Sequence, residues 1–413
     1  MALENTQNRT IVLPISQADY SAFINCAKTA HQMIRQLYGQ HPDLFPAAMK
    51  NGYCLNGRSR RSKKLGFQQR KIKVDGVSYR IRPSFVLPYC RSTSDQVAHG
   101  LFLLGFGVPF WAIALVFGRY TMWWYRLYLC FSSYNLVGTT VKVAARLPTD
   151  LLADEHHIRQ RGQKAYVATV CGAGCFLGLQ TSPHADEASL KQSYGVFRQE
   201  AQQVQSDYQP DTVNTDGWKA TQNAWKALYP KITVIECFLH AFLKVRDRAV
   251  KRLQPYFEKA ADKIWDCYRA ADKRSLAQQL RRLREWTCHQ VPDSPMRQAI
   301  FKLCEKRKQW SEHLDFPQAH RTSNMMDRLM RSMARHAFHS QMFHGSTAST
   351  TRNFRAFGLL YNFTPSCPAA WDDTGKLQSP ASRLNGFTYH DNWLENLLIA
   401  TSMGGNHDHR NLL

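Results

Sequence analysis

The sequence is short of acid. Against 54 lysines and arginines stand 31 aspartates and glutamates, a net charge of +23. An imbalance of this size favours a polyanionic partner, nucleic acid or an acidic membrane surface, over a merely solvated basic exterior. The chain also lacks any Cys-x-x-Cys pair. Its 11 cysteines are an odd, scattered set, which argues against a zinc site or a disulfide framework and for reduced thiols in a cytosolic protein. No secretory signal is read at Met1-Ala-Leu-Glu-Asn-Thr, which is neither basic nor followed by an apolar core. The one membrane-like stretch, Leu101 to Phe117, is 17 residues long and is interrupted by Gly105, Gly107 and Pro109. That is shorter than the roughly 20 residues a span needs. A capping box at Thr93-Ser94-Asp95-Gln96 instead starts one helix, Gly107 stops it, and Pro109 begins a second.

What is present is organised around residues 151–216. Leu151-Leu-Ala-Asp154-Glu155 opens the stretch and Thr212-Val-Asn-Thr-Asp216-Gly-Trp218 closes it, each a short apolar run that stops at an Asp. Between them Lys164–Cys171 and Cys175–Gln180 read as two strands joined at Gly172/Gly174. A polar run from Ala185 to about Val204 follows, with Leu190, Tyr194 and Phe197 at helical spacing. Ile232–Cys237 is a fifth strand. Three strands, a helix and a strand, with acids at the tips of the first and last strands, are the layout of an RNase H-like core, a mixed five-stranded sheet with helices. Of the two neighbouring acids, Asp154 is the better ligand, since side chains alternate along a strand and Glu155 would face away.

The flanks carry the positive charge. Arg58, Arg60, Arg61, Lys63, Lys64, Arg70, Lys71 and Lys73 form an acid-free cluster, and such clusters commonly contact phosphates or stay solvated loops. Residues 70–82 alternate around Asp75-Gly76, which predicts a tight β-hairpin. Residues 108–131 read as two short helices about a Gly118-Arg-Tyr120 turn, the parts of a helix-turn-helix. Thr121, Trp123, Trp124 and Arg126 would be exposed there, over a core of Ile113, Phe117, Leu127 and Phe131; the alternative is a plain buried helical hairpin. Between Lys244 and Arg284 thirteen basic residues meet five acids on a continuous helical pattern, predicting an all-α insertion with a phosphate-facing surface. Asp327, Arg331 and Arg335 share a face of a later helix capped by Thr322 or Ser323. Helix spacing alone reads them as a surface ion-pair ladder.

Taken together, Asp154, Asn214-Thr-Asp216-Gly-Trp218, Cys237-Phe-Leu-His240 and Thr322-Ser-Asn-Met-Met-Asp327-Arg-Leu resemble bacterial insertion-sequence transposases with an RNase H-like DDE-type catalytic domain. Cys237-x-x-His240 is similar to the signature of the mutator-like group, in which an α-helical insertion precedes the third acid. Asp216 lies 62 residues after Asp154, and Asp327 a further 111 on, which suits that layout. Arg355-Ala-Phe-Gly-Leu-Leu-Tyr-Asn-Phe and Asn392-Trp-Leu-Glu-Asn-Leu-Leu-Ile-Ala are also similar to stretches of such proteins. The family usually has Glu as third acid; here the position holds Asp327, with Glu236 and Glu312 as substitutes.

The resemblance implies a catalytic domain over 146–236 and 314–365, a basic α-helical insertion over 237–313, a DNA-binding region over 1–145 and a C-terminal segment over 366–413. It implies that Asp154, Asp216 and Asp327 hold two Mg²⁺ ions, or Mn²⁺ in their place, about 3.5–4 Å apart for phosphoryl transfer. His240, Arg331, Arg126, Trp123, Arg58 and Lys63 become contacts to phosphate or DNA. The partners implied are the element's terminal inverted repeats and target duplex DNA, bound by a homodimer or higher homo-oligomer in the bacterial cytoplasm beside the nucleoid, with no membrane. A nuclease or resolvase that cuts without joining, or a non-catalytic DNA-binding regulator, are the competing classes.

Overall fold

A computed structural model describes residues 9–61, 67–88, 92–340, 343–370, 375 and 378–406. The fold is mixed α/β, with two mixed sheets of four and five strands among many helices. Lys63 and Lys64 of the basic cluster lie outside the described residues.

The first sheet is built from β1 (Thr10–Leu13), β2 (Cys54–Arg58), β3 (Arg70–Val74) and β4 (Val77–Pro83), in the order β1-β4-β3-β2. Helices α1 (Gln17–Asn25) and α2 (Ala27–Gln40) follow β1. The expected hairpin is present: Val74 pairs with Val77, and Asp75 and Gly76 take φ of 46° and 78°, the positive pair a two-residue loop requires. One member of the basic cluster is structural. Arg70 is buried, and its guanidinium donates to the last carbonyls of α1, Phe23 O at 2.6 Å and Ile24 O at 2.9 Å.

Next come α3 (Ser94–Gly105), α4 (Phe110–Phe117), α5 (Thr121–Cys130) and α6 (Leu136–Thr140). The apolar stretch is indeed cut in two, with the capping box formed at Thr93 and Gln96 and Gly107 at φ 85°. Among the described residues no helix is long and apolar enough to cross a membrane. The helix pair predicted over 108–131 is there, and Ile113, Leu127 and Phe131 are buried as expected. Trp124 corrects the sequence reading. It is 1% exposed, it fills the space beside Gly100, and its indole N–H donates to Gly118 O at 2.9 Å. Thr121 and Arg126 are exposed and Trp123 is half-buried, while α4 leaves Trp111, Leu115 and Val116 facing outward.

The second sheet contains β5 (Asp150–Gln160), β6 (Gln163–Gly172), β7 (Cys175–Ser182), β8 (Thr212–Thr215) and β9 (Thr233–Glu236), in the order β7-β6-β5-β8-β9. β6 runs antiparallel to its neighbours β5 and β7; β5, β8 and β9 are parallel. The crossover helices α7 (Glu187–Val204) and α8 (Lys219–Leu228) bury Tyr194, Phe197 and Trp225 against one face. β5 differs from expectation. It does not stop at Asp154 but continues to Gln160, because β6 folds back on it through Arg161-Gly162, at φ 50° and 77°. In that half of the strand His157 and Arg159 are exposed, and buried Gln160 bridges Phe343 and donates to Gly345 O at 3.1 Å and Thr350 Oγ1 at 3.2 Å.

Helices α9 (Phe238–Arg246), α10 (Gln254–Arg269), α11 (Lys273–Gln290), α12 (Pro295–Glu305) and α13 (Arg307–Glu312) follow β9 and enclose their own apolar core around Ile264, Leu280 and Ile300. The chain returns to the sheet with α14 (Asn324–His339) and α15 (Thr347–Phe363). α15 packs against β7 closely enough that a Cβ on Gly358 would lie 2.4 Å from Leu179 Cδ1. Asn362 caps that contact, its amide accepting from Phe176 N at 2.9 Å and donating to Phe176 O at 2.8 Å. Last come α16 (Pro380–Asn385) and α17 (Trp393–Ala400). Glu395 on α17 is buried and accepts from Ser84 Oγ at 2.6 Å and Ser94 Oγ at 2.8 Å, so the C-terminal helix and the first sheet share one core.

Candidate active site

The site begins with a mismatch of strand lengths. β8 has four residues and β5 eleven, and their pairing ends at Leu152–Asn214. Two residues beyond that pair lie Asp154 on one strand and Asp216 after the other, in the same register. Past the end of β8 one edge of β5 is left open, and the Glu155 N–H at that edge donates to Asp154 Oδ1 at 2.8 Å. Asp216 Oδ1 accepts from Trp218 N at 2.9 Å, which curls the chain away from the sheet through Gly217 at φ 91°. A Cβ on Gly217 would meet Glu236 Oε1 at 2.7 Å, so only glycine lets the turn lie against the end of β9.

The third acid arrives from outside the sheet. Cys237, just after β9, donates its thiol to Ser323 Oγ at 3.4 Å and accepts from Ser323 N at 3.2 Å. Ser323 Oγ in turn donates to Asp327 Oδ2 at 3.1 Å. The start of α14 is thereby tied to the end of β9, and Asp327 is oriented through Cys237 and Ser323. Asp327 makes no ion pair with Arg331 among the described residues, so the surface ladder that spacing alone suggests is not formed. Instead Asp154, His156, His157, Asp327, Met330 and Arg331 line one cleft of about 470 Å³.

The electrostatics agree with this grouping. Burial pushes the Asp154 carboxyl up to about 6, and the charges of Asp216 and, less strongly, Asp327 push the same way against the opposing Glu155 N–H and His240. Glu155 points to the opposite face, as alternation predicts, and accepts from Tyr194 Oη at 2.6 Å and Thr221 Oγ1 at 2.8 Å. Burial pushes it up to about 7, against those two hydrogen bonds. His240 is raised first by the neighbouring Cys237 thiol and further by the charges of Asp216 and Asp154, with burial opposing. Its Nδ1 is buried and has no formed hydrogen bond among the described residues; nor do the buried Asn214 Oδ1 and Thr215 Oγ1 on β8.

In kind, the donors suit Mg²⁺: three carboxylates around a desolvated Asp154 that a cation would relieve. Among the described residues, however, no three His, Cys, Asp or Glu side chains are close enough to hold one ion. The three acids are electrostatic neighbours and not a closed ligand set. Of the substitutes, Glu236 is buried in an ion pair with Lys306 and faces a different cavity, and Glu312 sits on α13.

His156 and His157 escaped the sequence reading. Period-two alternation from Asp154 would have put His156 on the carboxylate's face. Burial lowers His156 to about 4, so it lines the cleft as neutral imidazole. The expected DNA contacts are dispersed. Arg331 lies in the cleft, Arg126 and Trp123 lie on α5, where Trp123 stacks under Arg119 at 5.6 Å, and exposed Arg58 donates to Asn25 Oδ1 at 3.0 Å. Compared with known proteins, the chain matches no family model and no curated protein.

Proposed function

We propose that the chain is a DNA transposase of an insertion sequence, binding terminal repeats and carrying out Mg²⁺-dependent strand cleavage and strand transfer on an RNase H-like core. The order β7-β6-β5-β8-β9, antiparallel on one side of β5 and parallel on the other, supports the RNase H-like reading of the second sheet. The observation that carries the proposal is the matched position of Asp154 on β5 and Asp216 just after its parallel neighbour β8, each two residues past the last paired position, with Asp327 close enough to disturb Asp154. A half-buried, desolvated carboxylate pressed by like charges in a cleft is an arrangement characteristic of functional sites.

Asp154, Asp216 and Asp327 would hold two Mg²⁺ ions between them, no one ion needing all three, and the metal would supply an activated water or 3′-hydroxyl and charge stabilisation at the leaving oxygen. The protein's own part is positional. Ser323 and Cys237 fix the Asp327 carboxylate, and the Glu155 N–H fixes that of Asp154. His240, drawn toward its protonated form beside two carboxylates, offers positive charge to the scissile phosphate. Arg331 does the same at the cleft. Arg126 and Trp123 on α5, with Arg58 and Lys63 on the basic segment, are assigned to flanking DNA, and two or more copies to a synaptic complex.

The test is cleavage and joining of duplexes carrying the element's ends in Mg²⁺. Asp154→Ala and Asp216→Ala should abolish both reactions and leave binding largely intact. Substantial strand transfer by either variant would overturn that residue's role, and cleavage without joining in the wild type would make the protein a nuclease.

A further inference from the structure

A second cavity, of about 350 Å³, opens between α9 and α12 behind the carboxylates. Lys244 and Arg248 stand one turn apart on one wall, and Gln298, Lys302 and Lys306 at successive turns on the other. Lys244, Arg248 and Lys302 are exposed at the cavity rim, and like charges gathered this closely repel weakly, a repulsion that an anion between them would relieve. The cavity's one acid, Glu236, is already neutralised by Lys306. Lys244, Arg248 and Lys302 have no ion-pair partner among the described residues, although the insertion has free acids elsewhere on its surface. The cavity therefore carries three uncompensated positive charges.

Its position gives the charge a purpose. Glu236 forms the floor, and the other side of Glu236 is the surface that only a glycine at 217 can approach, immediately after Asp216. The cavity is thus one residue from the second carboxylate, on the insertion side of the sheet. It is separate from the cleft lined by Asp154 and Asp327.

We propose that this cavity binds a non-reacting phosphodiester group of the nucleic-acid strand whose neighbouring phosphate lies at Asp154 and Asp216. The insertion then holds the strand in register with the acids through Lys244, Arg248 and Lys302, while the Glu236–Lys306 pair keeps the cavity floor from repelling the anion. The proposal rests on the strand-transferase reading above. A free phosphate would satisfy the same cations, but Glu236, which lines the cavity, also lies against Gly217 beside Asp216, and that adjacency favours a continuous strand.

The experiment measures binding of the full chain to a fluorescent DNA duplex over a range of salt, for wild type, Lys244→Gln/Lys302→Gln, and Arg248→Gln. Lys306 is left in place because it is paired with Glu236. A charge-matched Lys191→Gln/Lys226→Gln variant, exposed on α7 and α8, controls for net charge. Each lost phosphate contact flattens the slope of log affinity against log salt by about 0.9, so the cavity variants should lose up to about one unit of slope and bind several-fold more weakly at low salt. A wild-type slope in both cavity variants, or an equal loss in the α7/α8 control, overturns the proposal. Titration with inorganic phosphate separates the sources: saturable phosphate binding lost in the cavity variants, with DNA binding unchanged, reassigns the cavity to a free phosphate and overturns the strand contact. Asp154→Asn run alongside keeps the two claims apart. If it still cleaves DNA, the catalytic reading falls; the cavity is judged on binding alone.

Discussion

Each of the two sheets shelters a charge, Arg70 buried and Asp154 half-buried, and each treats it differently. In the first, Arg70 is 5% exposed and donates from two of its guanidinium nitrogens to the carbonyls near the end of α1. In the second, Asp154 accepts its neighbour's N–H and lies near two further carboxylates, which His240 offsets only in part. A buried charge matched by partners of opposite polarity belongs to the fold, and one left among like charges belongs to a site. The sequence shows both simply as charged residues on strands. Only the company they keep tells them apart.

The largest effect should come from Asp327, which tests whether the second sheet's charge belongs to a site. Asp327→Asn should lose strand transfer by at least about a hundredfold, while Asp327→Glu retains activity, since a carboxylate and not its length is what the metal needs. Full activity in Asp327→Asn, read beside Glu236→Gln and Glu312→Gln, would move the third role to whichever of those is dead. Arg70→Ala tests the other side of the comparison. It strands two buried carbonyls and should lower stability by about 2–4 kcal/mol in denaturant melts, with no loss of activity per folded molecule.

A smaller effect is expected on α5. Replacing Arg126 or Trp123 should each cost about 1–3 kcal/mol of discrimination between end and random DNA if they read bases. Equal losses on both duplexes would limit them to backbone contact. The smallest and most telling effect has the opposite sign. Folded Asp154, at about 6, holds its proton more tightly than the unfolded chain does, so ionising it destabilises the fold as pH rises through that value. In metal-free buffer Asp154→Asn should therefore stabilise the protein by about 1–2 kcal/mol near pH 8, and the gain should vanish toward about pH 4. A destabilised Asp154→Asn near pH 8 would erase the contrast with Arg70.

What the sequence determined by itself is local. The Asp75-Gly76 hairpin, the Thr93 capping box, the break at Gly107 and the α7 helix depend on neighbours a few residues away, and turn chemistry and helical spacing state them directly. Alternation likewise placed Asp154 and Glu155 on opposite faces. The tertiary structure decided what depends on distant partners. β5 runs on to Gln160 because β6 pairs with it. Trp124 is core because Gly100 leaves room for it. Arg70 is structural because α1 ends beside it, and Asp154 meets Asp216 because β8 stops four residues after it starts. Asp327 joins them through Cys237 and Ser323, a connection across 86 residues that no periodicity encodes. Spacing along a chain fixes which way a side chain points, whereas burial and electrostatic environment are set by whatever the fold brings against it.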